Sequence, residues 1–263
     1  MDKKDIVVVI PIYNSLLKPE EKKSLSQCSD ILSEYRLIVV KPTTLNIDNI
    51  LLEFPNLETE NFPDTYFTSV RTYNKLVLEA FFYQRFKMYQ YMLIYQLDAF
   101  VFKDELLLWA LKGYDYIGAP WLPICQRKKN KKSLMVNIKY FIYYTLRNPK
   151  CLKCKYHEYE VGNGGFSLRK IDKMIDLTIY YRKKINVLLS DNAPFYPEDV
   201  FLCVEITNKK YSLKKPKFDE AMKFSMEVGA SWAYEYNNRE LPFGCHAWYH
   251  PDFISFWKSI IKF

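Results

Sequence analysis

Asp98 is the residue whose setting first points to chemistry. It is the only formal charge in the apolar and aromatic run YMLIYQLDAFVF at positions 91–102. An unpaired carboxylate inside such a run would cost several kcal/mol. Asp98 is therefore expected at the end of a buried strand, facing a cation or a cleft. Capping of the next turn, or pairing with a basic side chain, accounts for it as well. A second place is VGNGGFSLR, positions 161–169, which holds three of the seven glycines. Glycines permit positive φ and close backbone approach, so the segment can present amides to a sugar or phosphate, or can be a plain tight turn. It has neither the Lys-Ser/Thr ending of a triphosphate loop nor the dinucleotide fingerprint.

Glu198 and Asp199 follow Pro197 and precede an apolar stretch. Acids in the first turn of a helix complement its dipole, and an acid held over a pocket can also act as a general base. FGCHAWYH at positions 243–250 gathers two of the three histidines, His246 and His250, beside Gly244 and two aromatics. Cys151, Cys154 and His157 invite a zinc reading, but Cys125 is the one evident fourth ligand and a structural zinc site wants four. Tyr13 and Asn14 stand just after the first apolar run, where a base or ribose could be held, or where an ordinary turn would begin.

The elements that must position these residues alternate. Residues 6–12 and 35–40 are continuous and largely β-branched, which suits parallel strands buried on both faces. Helical spacing is expected over 18–32, 45–52 and 72–89, a loop over 56–67, a short helix over 104–111 and a short strand over 114–118. Residues 166–168 are expected to lead directly into a helix from Lys170. Strand and helix alternation predicts an α/β fold built on a doubly wound sheet. Positions 125–158 read as an insertion or lid over the cleft. The last stretch, 253–263, is apolar and basic, and is expected to dock as a helix or to touch a membrane.

Composition sets the bounds. The 263 residues suffice for a single large domain, 1–263, and 49% apolar content argues for a folded globule. A net charge of +8 favours anionic partners, although much of the excess lies in lysine-rich loops such as 126–132. The start of the chain lacks a signal-peptide pattern and no apolar run is long enough to span a bilayer, so a cytoplasmic protein with reduced thiols is expected.

The order of the motifs VVVIPIYN, YNKL, LIYQLDAFVF, IGAPW, GNGGFSLR, PEDVF and FGCHAW resembles the GT-A class of nucleotide-sugar glycosyltransferases. It is closer still to a group of bacterial glycosyltransferase-like proteins of unassigned specificity. The resemblance runs from Ile6 to His250. It implies a GT-A-like, Rossmann-like, mixed and mostly parallel sheet flanked by helices. It also implies a divalent ion, Mn²⁺ or Mg²⁺, held by Asp98 in the place of the last acid of a D-x-D signature, with His246 completing the shell. Gln96 replaces the first acid of that signature, which is a departure. The resemblance further assigns Asp199 as the base of an inverting transfer with Glu198 in support. Donor contacts are expected from Pro11, Tyr13, Asn14, Arg71, Asn74, Lys75, Gln96, Asp98, Gly164, Gly165 and Phe166. The implied partners are a nucleotide-sugar donor, UDP-sugar favoured, and a glycan or lipid-linked acceptor, with peripheral membrane contact and without nucleic acid. A nucleotidyltransferase is the competing enzyme class, but the residues after the first strand supply no glycine-rich basic loop. A non-catalytic carbohydrate or nucleic-acid binding module is the competing non-enzyme, motivated by aromatics and positive charge.

Overall fold

The computed structural model describes residues 1–122, 159–190, 196–206 and 211–262. The expected lid at 125–158, with Cys151, Cys154 and His157, lies outside the described residues. Strands β1 (Ile6–Pro11), β2 (Arg36–Pro42), β3 (Leu57–Phe62) and β4 (Tyr91–Tyr95) run parallel to one another. β5 is Phe100–Val101, β6 is Tyr116–Ile117 and β7 is Phe166–Lys170. The main sheet has the order β3-β2-β1-β4-β7-β6, with β7 antiparallel to both of its neighbours. Every residue of β1 and β4 is buried, because helices cover both faces of a largely parallel sheet. This is the mixed, mostly parallel α/β architecture expected.

One face is covered by α1 (Pro19–Ile31) and α5 (Leu106–Leu111), which contribute Leu25, Cys28, Leu106 and Trp109 to a core with Val8, Ile10, Leu93 and Phe166. The other face carries α3 (Val70–Leu76), α4 (Ala80–Gln84) and the helix Ile171–Tyr180, packed on Val7, Val9, Met92 and Ile94. The helix α2 (Asp48–Glu53) connects β2 to β3.

Several expected elements are revised. The long helix over 72–89 is two short ones, because Leu76, Val77 and Leu78 are all buried. Successive helical residues point about 100° apart, so three in a row cannot share one face of a straight helix. The chain turns instead, and buried Glu79 at the bend pairs with Arg182. The expected loop over 56–67 contains β3, whose ends Leu57 and Phe62 are buried while its middle is polar, as suits a charged edge strand. Residues 166–170 form β7 before the helix begins.

Beside the main sheet lies a smaller one, in the order β5-β9-β8, with β8 at Ser225–Met226 and β9 at Gly244–Cys245. The C-terminal segment docks on it as expected: Trp257, in the helix Ile254–Trp257, is fully buried and stacks on Phe102 at 5.6 Å between ring centroids. Among the described residues, no helix is long and apolar enough to cross a membrane.

Phe166 joins the two sheets, packing against Tyr95, Phe224 and Phe243 with ring centroids 5.3–5.8 Å apart. Phe166→Ala is expected to cost about 3–5 kcal/mol in stability, the range for a deleted core aromatic. Urea unfolding would measure it, and a loss below 1 kcal/mol would contradict this placement.

Candidate active site

The smaller sheet brings three distant residues together by register. β8 runs parallel to β9 with Met226 beside Cys245, so Glu227 follows beside His246. β5 runs antiparallel with Phe100 beside Cys245, so the residues that precede it, Asp98 and Ala99, meet His246 from the other side. The His246 amide donates to the Met226 carbonyl at 3.0 Å, and the Trp248 amide to the Asp98 carbonyl at 3.0 Å. His246 thus stands between two acids. Its Nε2 is 3.1 Å from Asp98 Oδ1, and its Nδ1 is 3.0 Å from Glu227 Oε1.

Asp98 sits in a turn rather than on β4 itself, which ends at Tyr95. The turn is closed by the Ala99 amide donating to the Gln96 carbonyl at 2.8 Å, and it is tied to α1 by Ser24 Oγ donating to the Ala99 carbonyl. Burial by itself would push the Asp98 carboxyl up, but the charge and hydrogen bond of His246 outweigh it and hold the carboxyl below its ordinary range. For His246, burial pulls downward, and the Asp98 and Glu227 carboxylates more than reverse it, raising the imidazole to about 10.

The Gly164–Gly165 pair lies behind this cluster. A Cβ on Gly165 would fall 2.0 Å from His246 Nε2, and one on Gly164 would fall 2.2 Å from Glu198 Oε1. Only glycine allows the backbone so close to both. Asn163, left-handed at φ 68° and almost wholly buried, shapes the turn: its Oδ1 accepts from the amides of Gly165 and Phe166 at 3.1 and 3.2 Å. The Gln96 amide donates to the Gly165 carbonyl at 2.8 Å, which locks this loop to the Asp98 turn.

Glu198 and Asp199 open a short helix, as their position after Pro197 leads one to expect. Their environments diverge. Glu198 is buried and accepts from the fully buried Arg169 Nη2 at 2.8 Å. Arg169, on β7, also donates to Tyr83 Oη at 2.9 Å and to Ser167 Oγ at 3.0 Å. Among the described residues, no cation is paired with Asp199 in this way. Burial, and then the charge of Glu198, raise its carboxyl to about 7.

A cavity of about 530 Å³ opens at the carboxyl ends of β1 and β4. Its walls include Pro11 at the end of β1, Tyr13 and Asn14 after it, Tyr73 and Asn74 of α3, Gln96 and Asp98 of the turn, and Tyr249. Among the described residues, the charged ones in its lining are Glu21 and Asp98. Of the residues expected at a donor site, Arg71, Lys75, Gly164, Gly165 and Phe166 are not in this lining. Lys75 is exposed, and Phe166 belongs to the core because its strand crosses the middle of the sheet. Arg169, Glu227 and Glu21 escape the sequence reading. Arg169 and Glu227 acquire their partners only through strand pairing, while Glu21 looks like an ordinary first-turn acid, and it does cap the Lys18 amide at 2.8 Å.

Among the described residues, no group of three His, Cys, Asp or Glu side chains gathers as a metal site. Asp98 and His246 nevertheless suit two adjacent ligands. Neighbouring ligands of an octahedral ion at ~2.1 Å stand roughly 3 Å apart, and Asp98 Oδ1 and His246 Nε2 are 3.1 Å apart.

Two stability measurements test this arrangement. Arg169→Met leaves Glu198 buried without its cation and is expected to cost about 3–5 kcal/mol, with much of the loss restored by adding Glu198→Gln. Asp199 keeps its proton to about pH 7 when folded, against an unfolded value near 4. The folded chain therefore binds more protons over that window, and stability falls as pH rises through it. At pH 8, Asp199→Asn is expected to be more stable than the unsubstituted chain by roughly 4 kcal/mol, the three units between the two values at about 1.4 kcal/mol each. At pH 4 the difference should vanish, and equal stability at both pH values would refute the raised carboxyl.

The same fold occurs in solved glycosyltransferases. The galactosyltransferase LgtC, in complex with donor and acceptor sugar analogues, aligns with a TM-score of 0.53 at 11% identity, covering 98% of this chain and 97% of that one. Core-mannan synthase A from Aspergillus fumigatus, in a Mn/GDP form, aligns with a TM-score of 0.51 at 9% identity, covering 82% and 73%. The mannosyltransferase Ktr4p from S. cerevisiae gives 0.50 at 11% identity, covering 83% and 68%. At such identities the likeness establishes the GT-A fold and nothing about substrates. No curated protein matches the sequence. One family model does match, over residues 56–246, and the chain belongs to that family, described as a protein of unknown function, DUF5672.

Proposed function

We propose that the chain is a nucleotide-sugar-dependent glycosyltransferase that uses a divalent ion and inverts the anomeric centre. The observation that carries the proposal is the Gly164–Gly165 strip. One glycine abuts His246, in the candidate ion-binding pair, and the next abuts Glu198, beside the candidate base. The two halves of a displacement, stabilising a leaving group and deprotonating an acceptor, would thus flank one short piece of backbone.

Asp98 and His246 would hold Mn²⁺ or Mg²⁺, and the bound ion would supply Lewis-acid neutralisation of charge on a leaving diphosphate. The cavity lining supports the need for a cation, since its charged groups among the described residues are both acids. With only two protein ligands, the ion should bind weakly until a nucleotide adds its phosphate oxygens. Tyr13, two-thirds exposed at the cavity rim, offers a ring on which a base can stack. UDP-sugars are the first donors to try, and a glycan or a lipid-linked sugar is the proposed acceptor.

Asp199 would take the acceptor hydroxyl's proton as the acceptor oxygen bonds to the anomeric carbon and the bond to the donor phosphate breaks. A carboxyl raised to about 7 is suited to this, because a base works best when its pKa lies near the working pH. Glu198, occupied by Arg169, would hold Asp199's segment in place. Uncatalysed binding would release no nucleotide, and a nucleotidyltransferase would release pyrophosphate from a triphosphate.

Incubation with UDP-, GDP- and CMP-sugars and Mn²⁺ should release nucleotide from one donor class. Asp98→Ala and Asp199→Asn should each lower transfer by at least 10²-fold, the lower end of what a lost base or electrostatic group costs. Only Asp98→Ala should abolish metal-dependent nucleotide binding. The rate should rise with pH through about 7 as Asp199 ionises. Undiminished transfer by Asp199→Asn would remove it as the base.

A further inference from the structure

Glu227 is the one acid of the cluster that the proposed chemistry leaves without a task. It cannot join Asp98 as a ligand of a common ion through His246, because it meets the opposite ring nitrogen. We propose that Glu227 is a positioning residue for His246, fixing the ring so that Nε2 points at Asp98 and at any ion Asp98 holds. This rests on the reading of Asp98 and His246 as the ion-binding pair.

An imidazole offers Nε2 as a ligand only when the proton resides on Nδ1 and the ring cannot turn over. Both conditions follow from one contact here. Nδ1–H donates to Glu227 Oε1 at 3.0 Å, which leaves Nε2 facing Asp98 Oδ1 at 3.1 Å and Gln96 Oε1 at 3.3 Å. A carboxylate behind a ligating histidine sets its tautomer and raises the basicity of the ligating nitrogen.

Glu227 is itself held. It follows β8 in register with β9, and its side chain is only 21% exposed. Asn163 completes the grip. Its Oδ1 is taken by the Gly165 and Phe166 amides, so its Nδ2, 3.1 Å from His246 Nδ1, is turned towards the ring and the Glu227 carboxylate. The glycine strip, the histidine and Glu227 therefore form one connected unit.

The test compares Glu227→Leu with Glu227→Gln, whose Oε1 still accepts from Nδ1–H. Crystal structures of the metal-free variants report the ring, and electron paramagnetic resonance titration of Mn²⁺ with UDP or GDP present reports the ion. In Glu227→Leu the ring should rotate away from Asp98 and Mn²⁺ affinity should fall about 10–100-fold. Glu227→Gln should keep both near the unsubstituted chain. Glu227→Ala serves as the second variant should leucine prevent folding. An unmoved ring and unchanged Mn²⁺ affinity in the leucine or alanine variant would overturn the proposal. If the unsubstituted chain binds no Mn²⁺ with either nucleotide, the ion-binding reading fails. The metal-free structures then decide the positioning role alone: a displaced ring supports it, and an unmoved ring refutes it.

Discussion

The register of a three-stranded sheet built from two-residue strands is the constraint on which the candidate site depends. Each strand is too short to be stable alone, and each is held by what flanks it: β5 by the turn after β4, β8 by the helix Phe218–Phe224 before it, and β9 by Phe243 in the core. A slip of one residue would turn every side chain to the other face. His246 would then lose Asp98 and Glu227 together. The buried aromatics Phe166, Phe224 and Phe243, packed beneath this sheet, oppose such a slip.

Arg169 plays the corresponding role in the main sheet. A guanidinium at the centre of an antiparallel strand is costly to desolvate, and a buried pair of this kind adds little net stability over an apolar replacement. What it provides is placement. Its planar fork reaches Glu198, Tyr83 and Ser167 at once, and its ring-face contact with Tyr116 fills the remaining side. The acid-bearing turn at 198–199 is thereby fastened to the strand that follows the glycine loop, so the turn and the loop share a foundation.

Much of this was legible in the residues. β1, β2 and β4 announce themselves by continuous apolar, β-branched runs, and Asp98 stands out as the one charge in such a run. Gly244 and Trp248 mark the stretch around His246, and the resemblance to GT-A enzymes singles that histidine out. Other features left no local trace. β3 carries glutamates on an edge and so lacks any strand period, while β7 reads as the approach to a helix because its partners lie far away in sequence. Glu227 sits in an unremarkable Met-Glu-Val-Gly stretch, and nothing there reveals that parallel pairing will set it beside His246. The resemblance of Gly164–Phe166 to a GT-A donor loop implies a ligand contact for Phe166, but its place on β7 puts it in the core.

The position of β7 also bears on how the chain acquires its shape. β4 pairs with β1 on one edge and with Phe166–Lys170 on the other, and among the described residues β6 pairs in the main sheet with β7 alone. During synthesis the N-terminal strands can assemble as they emerge, while the oily flank of β4 stays open until the later strand leaves the ribosome. That interval leaves a strand edge that can act as a template for pairing with another nascent copy.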